Sequence, residues 1–379
     1  MGCKILVVDD ESDLELLIKQ WFREEIRQLE LEFFFARDGK EALKKLDEVQ
    51  GISIILADIR MPEMDGLTML QEINKNNNPL IKTIMVSAYG DMKNIRKAMN
   101  YGAFDFITKP IDFDDLKVTI NKTLKHLEEQ KELISLQLDM QVAAHIQESM
   151  LPQMFTPFPQ QTSFDIFPKM VPAKKVGGDF YDFFFIDQER LVFSIGDVLG
   201  KGVPAALFMA VCLTLLRAEI SRNKHVGISL ASLKNLLRPL YAPGMLVTIF
   251  NGILNVNIGE LQYACGGHHS PYILNPSGKV EPMPEVNGLI IGPFEDEEYK
   301  VGKIQLNKGE TIFLYTDGVT DAQRKDGEMF EKERLVQYLE KNCQKSPEEL
   351  CEGLIQEIEK FTSGEPPADD ITIMALRYK

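Results

Sequence analysis

Tryptophan and cysteine are scarce in this chain, which has one Trp and five Cys among 379 residues. The five cysteines lie too far apart in the sequence to form a zinc-ligand pair, and their odd number disfavours a disulfide framework. Long apolar runs are also missing, since none approaches the roughly 20 residues that span a bilayer. The first residues lead directly into a short apolar strand pattern, so we expect no signal peptide and a cytoplasmic protein.

Positive charge is the other shortage. The formal net charge is −15 at pH 7, and acidic residues outnumber basic ones in every part of the chain. A nucleic-acid-binding module needs a basic surplus to neutralise phosphates. The composition therefore disfavours DNA or RNA binding, whereas 44% hydrophobic and 26% charged residues are typical of a soluble globular protein.

Residues 1–118 alternate short apolar runs with amphipathic stretches, and the first amphipathic stretch runs from Leu14 to Leu29. Strands that alternate with helices in this way predict a parallel sheet with helices on both faces. We expect an α/β doubly wound domain over residues 1–118.

Residues 111–151 contain neither glycine nor proline. Apolar residues recur here at steps of three and four, with Lys131 and Gln141 at two positions of the stripe, which predicts one long helix with an imperfect coiled-coil seam. We assign residues 119–151 to a helical coiled-coil linker and expect a parallel homodimer; packing of the stripe on the N-terminal domain is the alternative. The apolar stripe consists of Leu116, Ile120, Leu124, Leu127, Ile134 and Leu138.

The pattern changes again over residues 152–379. Strands rich in Phe, Val and Ile are interrupted by four helical stretches, at 204–221, 229–240, 331–341 and 347–362. This order predicts an α+β layered β-sandwich with antiparallel strands.

Chemistry-bearing side chains follow several strands of the N-terminal domain. Asp9 and Asp10 follow the first strand, Asp58 the third, Ser87 the fourth and Lys109 the fifth. The carboxyl ends of parallel strands are where open α/β sheets place their sites. Converging carboxylates suit a hard cation such as Mg²⁺, although a single strand-end aspartate commonly caps the next helix.

These residues stand in motifs that resemble the response-regulator receiver family. The resemblance implies that Asp58 accepts a phosphoryl group from a sensor histidine kinase. It also implies that Asp9, Asp10, Asp58 and the backbone carbonyl of Arg60 bind Mg²⁺, and that Ser87, Phe106 and Lys109 form the switch. The motifs are Leu6-Val-Val-Asp-Asp-Glu11, Ala57-Asp-Ile-Arg-Met-Pro-Glu-Met-Asp-Gly66, Ser87-Ala-Tyr89 and Ile107-Thr-Lys-Pro110.

Four aspartate motifs stand at strand edges of the C-terminal region, and three of them contain glycine beside the acid. An isolated Asp-Gly pair is usually only a turn. Four such edges in a domain without a Cys/His set indicate a carboxylate site for Mg²⁺ or Mn²⁺, with two cations and an activated water. The motifs are Val176-Gly-Gly-Asp-Phe-Tyr-Asp182, Ile195-Gly-Asp-Val-Leu-Gly-Lys-Gly202, Leu314-Tyr-Thr-Asp-Gly-Val-Thr-Asp321 and Ala368-Asp-Asp-Ile-Thr372.

At this point the chain resembles the PPM-type metal-dependent protein phosphatases of the SpoIIE and RsbU branch. The stretches Ala144–Pro152 and Gly266–Pro271 also match that branch. The resemblance implies two Mn²⁺ or Mg²⁺ ions and catalytic roles for Asp197 and Asp317. The implied metal ligands are Asp179, Asp197, the carbonyl of Val198, Asp317 and Asp369, with Asp370 as the alternative to Asp369.

Other polar residues near these motifs have a less specific interpretation. His268 and His269 could be general acids, yet a histidine with a buried partner in a turn is equally common. Lys174, Lys175 and Lys201 flank the aspartates and could attract phosphate, although loop lysines are more often solvated.

The expected function is that of a bacterial two-component response regulator whose output is a phosphoserine/phosphothreonine protein phosphatase. By resemblance, its substrate is a phosphorylated anti-anti-sigma (STAS) protein. The alternative is a non-catalytic adaptor that binds a protein partner, which loss of Asp197 or Asp317 would have favoured; both are present. No nucleic-acid or membrane partner is expected.

Overall fold

The computed structural model describes residues 2–88, 90–152, 162–241, 244–286, 288–294 and 298–379. Tyr89 of the Ser-Ala-Tyr motif lies outside the described residues. The chain divides into two compact units, Met1–Leu138 and Asp139–Lys379.

The first unit is built on a five-stranded parallel sheet. Its strand order is β2-β1-β3-β4-β5, so the chain reverses direction across the sheet between β1 and β3. Open sheets place ligands at such a reversal, outside the carboxyl ends of the strands. The strands are β1 (Cys3–Val8), β2 (Leu31–Ala36), β3 (Ile52–Asp58), β4 (Lys82–Ala88) and β5 (Asp105–Lys109), and the helices are α1 (Ser12–Trp21), α2 (Arg23–Arg27), α3 (Gly39–Glu48), α4 (Gly66–Lys75) and α5 (Met92–Asn100).

Both faces of this sheet are buried. Along β1, Ile5 and Val7 belong to one hydrophobic cluster, and Leu6 and Val8 belong to another on the opposite face. Successive strand side chains point to opposite faces, so a continuous apolar run is what a strand covered on both sides requires. The predicted α/β doubly wound class is confirmed.

The first amphipathic stretch is not one helix. It breaks at Phe22, where the backbone leaves helical geometry at φ −89° and ψ 22°. Phe22 is fully buried, and its ring packs 5.4 Å from that of Phe33 on β2. The single amphipathic stretch predicted from Leu14 to Leu29 was therefore wrong. The spacing of apolar residues does not show that the chain changes direction at Phe22 to bury its ring.

The long helix α6 spans Phe113–Met150, 38 residues without interruption. The first part of its apolar stripe packs inside the first unit: Leu116, Ile120 and Leu127 are core residues there, and Leu124 packs against them. A coiled-coil seam through residues 116–127 would need side chains that this core already buries, so that half of the predicted pairing is wrong. Beyond it, exposed apolar side chains continue along α6 at Leu133, Leu136, Leu138, Val142 and Ile146.

The second unit contains two five-stranded sheets whose strand pairs are antiparallel. The strand orders are β13-β10-β9-β8-β7 and β12-β11-β14-β15-β6. The strands β12 and β13 are short edge strands that the sequence pattern did not predict. The strands are β6 (Phe164–Val171), β7 (Phe180–Phe185), β8 (Arg190–Val198), β9 (Val247–Asn255), β10 (Glu260–Gly266), β11 (Tyr272–Leu274), β12 (Val280–Pro282), β13 (Gly302–Gln305), β14 (Thr311–Tyr315) and β15 (Ile371–Tyr378).

Strand β14 shows how the layers are arranged. Ile312 and Leu314 join the cluster that also takes side chains from β7 to β10, whereas Phe313 and Tyr315 join the cluster beneath α10 and α11. Each face of β14 therefore faces a different core, as the two-residue side-chain period dictates. This confirms the predicted α+β sandwich. The helices of the unit are α7 (Val203–Asn223), α8 (Val226–Leu237), α9 (Asp317–Thr320), α10 (Glu331–Asn342) and α11 (Pro347–Thr362), and residues 238–240 form a 3₁₀ turn.

Helix α7 is long and apolar enough to cross a membrane by length and composition alone. Phe208, Met209, Cys212 and Leu216 on it are buried in the first core of the unit. A core helix of this kind passes the same test of length and composition. The five cysteines are free thiols.

The packing of α6 makes a prediction about stability. Leu116→Ala removes a fully buried side chain and should lower the free energy of unfolding of the first unit by about 2–5 kcal/mol. The control is Leu133→Ala at an exposed position on the same helix, which should change it by less than about 0.5 kcal/mol. Urea unfolding can be followed by the fluorescence of Trp21, the single tryptophan, which stacks on Phe113 within this unit. Equal effects of the two substitutions would contradict the packing described.

Candidate functional site

The first candidate site lies at the carboxyl edge of the parallel sheet. Oxygen atoms of Asp9, Asp10 and Asp58 lie within 4.8 Å of one another. Asp9 and Asp58 are buried, and Asp10 is exposed. Backbone amides hold the two buried carboxylates: Glu11 N donates to Asp9 at 2.9 Å, and Arg60 N donates to Asp58 at 3.1 Å. Three hard oxygen donors around one point are suited to Mg²⁺.

Lys109 at the end of β5 reaches into this cluster. Its Nζ lies 2.5 Å from Asp58 Oδ2, 2.9 Å from Asp9 Oδ2 and 3.1 Å from Glu11 Oε1. Burial lowers the pKa of Lys109, but the carboxylates of Asp58 and Asp9 more than offset this and raise it. Burial raises the pKa of Asp9, and the neighbouring charge of Asp58 adds to the rise. The lysine therefore remains a cation at the edge of a crowded acidic site.

Three further predicted residues surround this cluster. Ser87 on β4 is fully buried, and its Oγ has no hydrogen-bond partner among the described residues. A buried hydroxyl of this kind has donor capacity to offer a ligand. Phe106 on β5 is exposed, and the Arg60 guanidinium lies 2.9 Å from Asp91 Oδ2.

The second candidate site brings together all four aspartate motifs of the C-terminal unit. Glycines permit the approach, because a Cβ at each position would collide with the next motif. A Cβ at Gly178 would lie 2.7 Å from the carbonyl oxygen of Val198, and a Cβ at Gly318 would lie 2.0 Å from that of Asp370. A Cβ at Gly177 would lie 2.3 Å from Asp370 Oδ2. The predicted convergence of the motifs is therefore present in the structure.

The two neighbouring acids of the last motif have different environments. Asp370 is buried, and its carboxylate accepts hydrogen bonds from Ala173 N at 2.8 Å and Gly178 N at 2.7 Å. The Asp369 side chain is 40% exposed and faces Lys201 Nζ at 2.9 Å. Asp370 thus fixes the backbone at Ala173 and Gly178, and Asp369, whose Oδ1 accepts from Asp370 N at 3.0 Å, has the more exposed of the two carboxylates.

Asp179 is oriented by a residue that the sequence analysis gave no role. The hydroxyl of Thr316 donates to Asp179 Oδ2 at 2.8 Å and accepts from Thr372 N at 3.0 Å. Thr316 is fully buried and immediately precedes Asp317. Its position in the Tyr-Thr-Asp-Gly motif was the only available signal.

Charge in this cluster is poorly compensated by the protein itself. Burial raises the pKa of Asp197 to about 7, and the nearby charge of Asp317 adds to the effect. Burial and the charge of Asp197 raise the pKa of Asp179 well above its usual range. The pKa of Asp317 is raised by burial and then by Asp321 and Asp369. Buried carboxylates in mutual repulsion are stabilised by bound cations.

These aspartates are more widely spread than the receiver carboxylates. Within the described parts of the chain, only Asp9, Asp10 and Asp58 bring three ligand atoms within 4.8 Å of one another. A site for two cations about 3.5–4 Å apart distributes its ligands over a larger space than a single-ion site. The donor set of carboxylates and the Val198 carbonyl suits Mg²⁺ or Mn²⁺.

The paired histidines have separate environments. His268 is buried, with Nδ1 2.8 Å from Thr248 Oγ1 and Nε2 3.1 Å from the Tyr315 carbonyl. Burial lowers its pKa to about 3, so it is a neutral structural residue. His269 is half-buried and stacks on the Tyr315 ring at 5.6 Å.

The end of helix α6 contacts the first aspartate motif. Gln147 is buried; its Nε2 donates to the Gly177 carbonyl at 2.7 Å, and its Oε1 accepts from Gly177 N at 3.1 Å. The side chain therefore fixes the glycine two residues before Asp179. The sequence contained Gln147 in a matched motif but gave no indication of this contact.

Comparisons with known proteins identify a family for each unit. A family model described as stage II sporulation protein E (SpoIIE) matches residues 187–379, and one described as the response regulator receiver domain matches residues 5–121. The phosphoserine phosphatase RsbU of Bacillus subtilis is 30% identical over 245 residues, which cover 64% of this chain and 70% of RsbU. Protein IcfG of Synechocystis sp. is 29% identical over 266 residues, covering 63% of this chain but only 41% of IcfG.

A solved structure supports the fold of the second unit. The SiaA-PP2C domain of Pseudomonas aeruginosa superimposes with a TM-score of 0.57 at 22% identity, covering 66% of this chain and 99% of that domain. The chain therefore belongs to the SpoIIE family of PPM-type serine/threonine protein phosphatases, with a response regulator receiver domain fused at its N-terminal side.

Proposed function

We propose that this protein is a cytoplasmic response regulator in which phosphorylation of Asp58 controls a metal-dependent phosphoserine/phosphothreonine protein phosphatase. The observation that carries the proposal is the convergence of four aspartate motifs through glycines that have no room for a Cβ. All acidic positions are present beside a complete receiver cluster, which disfavours the adaptor alternative.

The phosphatase residues divide into ligands and supports. Asp179, Asp197, Asp317, Asp369 and the Val198 carbonyl hold the cations. Two Mn²⁺ or Mg²⁺ ions in this site would supply Lewis acidity and an acidified water for in-line attack on phosphorus. Thr316 orients Asp179, and Asp370 holds the backbone before it. We choose Asp369 over Asp370 as the ligand because Asp370 is buried with both oxygens on backbone amides, whereas the Asp369 side chain is 40% exposed.

In the receiver, Asp58 accepts the phosphoryl group from a sensor histidine kinase. Asp9, Asp10, Asp58 and the Arg60 carbonyl hold Mg²⁺, which would neutralise charge on the incoming phosphoryl oxygens. Lys109 Nζ lies 2.5 Å from Asp58 Oδ2 and can form an ion pair with the phosphoryl group once Asp58 carries it. The free hydroxyl of Ser87 can donate to the same group, and Phe106 can then turn inward.

The substrate we propose is a phosphorylated anti-anti-sigma (STAS) protein. Support comes from the resemblance to the RsbU branch, since RsbU is itself named a phosphoserine phosphatase. Phosphate release from a phosphorylated STAS protein, measured with Mn²⁺ and with Mg²⁺, is the direct test. Failure of both metals to support release would contradict the proposed activity.

We expect Asp197→Ala and Asp317→Ala each to lower metal-dependent phosphatase turnover by about a hundredfold or more, because loss of a ligand removes several kcal/mol of activation. Phosphate release is the measurement. Circular dichroism should show a retained fold, since each position lies at a strand edge. The control is Asp187→Ala on the β7–β8 loop, where the aspartate pairs with Arg190 and accepts from the amides of Glu189 and Arg190, and turnover should remain unchanged. Near wild-type turnover in Asp197→Ala would refute the assignment.

We also propose that the protein is a homodimer through the exposed part of α6, since pairing would bury Leu138 and Val142, which lie one helical turn apart on the same face. Light scattering at tens of micromolar should give twice the chain mass. The double substitution Leu138→Lys and Val142→Lys should give a monomer. Val118→Lys, at an exposed apolar position nearer the start of the helix, should leave the dimer intact. A monomeric wild type, with and without a phosphoryl mimic at Asp58, would contradict the dimer.

The third expectation concerns coupling through α6. Its first turns lie in the receiver core, and Gln147 near its end fixes Gly177 beside the aspartate cluster. A seven-residue Gly-Ser insertion near Glu129 should leave Asp58 modification and basal turnover measurable but remove the effect of beryllofluoride on turnover.

The control for this test is an insertion of seven helix-forming residues at the same position, which adds the same number of residues and changes the helical phase by only about 20°. It should retain more of the response than the flexible insertion. If the Gly-Ser variant responds as fully as wild type, the helix is not the transmitter.

A further inference from the structure

One positively charged side chain, that of Lys201, contacts the aspartate cluster of the phosphatase unit. Lys201 Nζ lies 2.9 Å from Asp369 Oδ2 and also donates to the carbonyl oxygen of Ala368. Among the lysines and arginines in the described ranges, it alone forms an ion pair with one of the five aspartates of the cluster. The five aspartates are Asp179, Asp197, Asp317, Asp369 and Asp370.

The loop that carries Lys201 is built to hold it beside the cluster. It follows Asp197 and Val198 directly, and Gly200 and Gly202 on either side of Lys201 have φ values of 114° and 79°, which favour glycine. The same loop opens helix α7, whose first turn contains no acidic residue. The amides of that turn add positive partial charge close to Lys201.

The other two lysines near the motifs differ from Lys201. Lys174 and Lys175 are exposed, and neither forms an ion pair with another described residue. The Lys201 side chain is 40% exposed, so its ammonium touches the cluster and also meets solvent. A ligand that approaches Asp369 from outside therefore encounters Lys201.

A phosphomonoester brings negative charge to a site already formed by carboxylates. The aspartates would hold cations that offset part of this charge, and a donor from the protein would bind the remaining phosphoryl oxygens. A lysine ammonium is a compact charge with three donors and binds phosphate as a point charge. In the described part of the site, Lys201 has the charge, the reach and the exposure for this role.

We propose that Lys201 binds the phosphoryl group of the phosphoprotein substrate and is a specificity-determining residue of the phosphatase. This proposal rests on the proposed phosphatase function. It assigns Lys201 to substrate binding and not to the holding of Asp369. These two roles predict different measurements, because one acts on substrate affinity and the other on cation affinity.

The experiment compares Lys201→Met, Lys201→Arg and the control Lys174→Met in the full chain. Turnover is measured with a phosphoserine peptide and with p-nitrophenyl phosphate at saturating Mn²⁺, and inorganic phosphate is used as a competing product. Titration calorimetry gives the Mn²⁺ affinity of each variant without reference to activity.

We expect Lys201→Met to raise the KM for both substrates and the inhibition constant for inorganic phosphate by about tenfold or more, the loss typical of one charged hydrogen bond. Lys201→Arg should stay within about threefold of wild type because it retains the charge, and Lys174→Met should match wild type. The Mn²⁺ affinity should remain within about twofold in all variants.

Two results would overturn the proposal while the phosphatase function stands. One is an unchanged KM and phosphate inhibition constant in Lys201→Met. The other is a loss of Mn²⁺ affinity with unchanged KM, which would make Lys201 a support for Asp369 alone. A wild type that releases no phosphate would overturn the proposed function and this inference with it.

Discussion

The phosphatase unit depends on holding several buried carboxylates close together against their mutual repulsion. The protein achieves this through backbone contacts more than through opposite charges. Asp370 accepts hydrogen bonds from the amides of Ala173 and Gly178, and glycines at 177, 178 and 318 let neighbouring motifs approach without a Cβ between them. The raised pKa of Asp197 records the repulsion that remains. Cations therefore complete a site whose geometry the backbone has already fixed.

The receiver also holds carboxylates close together, although only three of them. Its three carboxylates lie at the reversal point of a parallel sheet, and Lys109 supplies the compensating charge from within the chain. Because Lys109 contacts Asp58 directly, a change in the charge on Asp58 changes this ion pair. The two units thus differ in where their positive charge comes from: mainly a side chain in one, mainly bound cations in the other.

Much of this could be predicted from the sequence, because strand period and strand-end acids are local signals. The parallel sheet of the first unit and the antiparallel sheets of the second unit follow these patterns, and the four aspartate motifs converge as expected. The contacts of Thr316 and Gln147 could not be predicted, since a hydrogen bond between residues 30 or 137 positions apart leaves no local pattern. The apolar stripe on α6 led to a wrong prediction of pairing over residues 116–127 for the same reason. Its spacing indicates a buried face but does not say whether that face packs on the same chain or on a second copy.

Strand β14 ends two residues before Asp317, and its alternate side chains enter two different cores. Loosening either hydrophobic layer would therefore release the strand that leads to Asp317. An intermediate that keeps one layer and loses the other could not retain the site. The position of Asp317 therefore depends on both hydrophobic layers of the phosphatase unit at once.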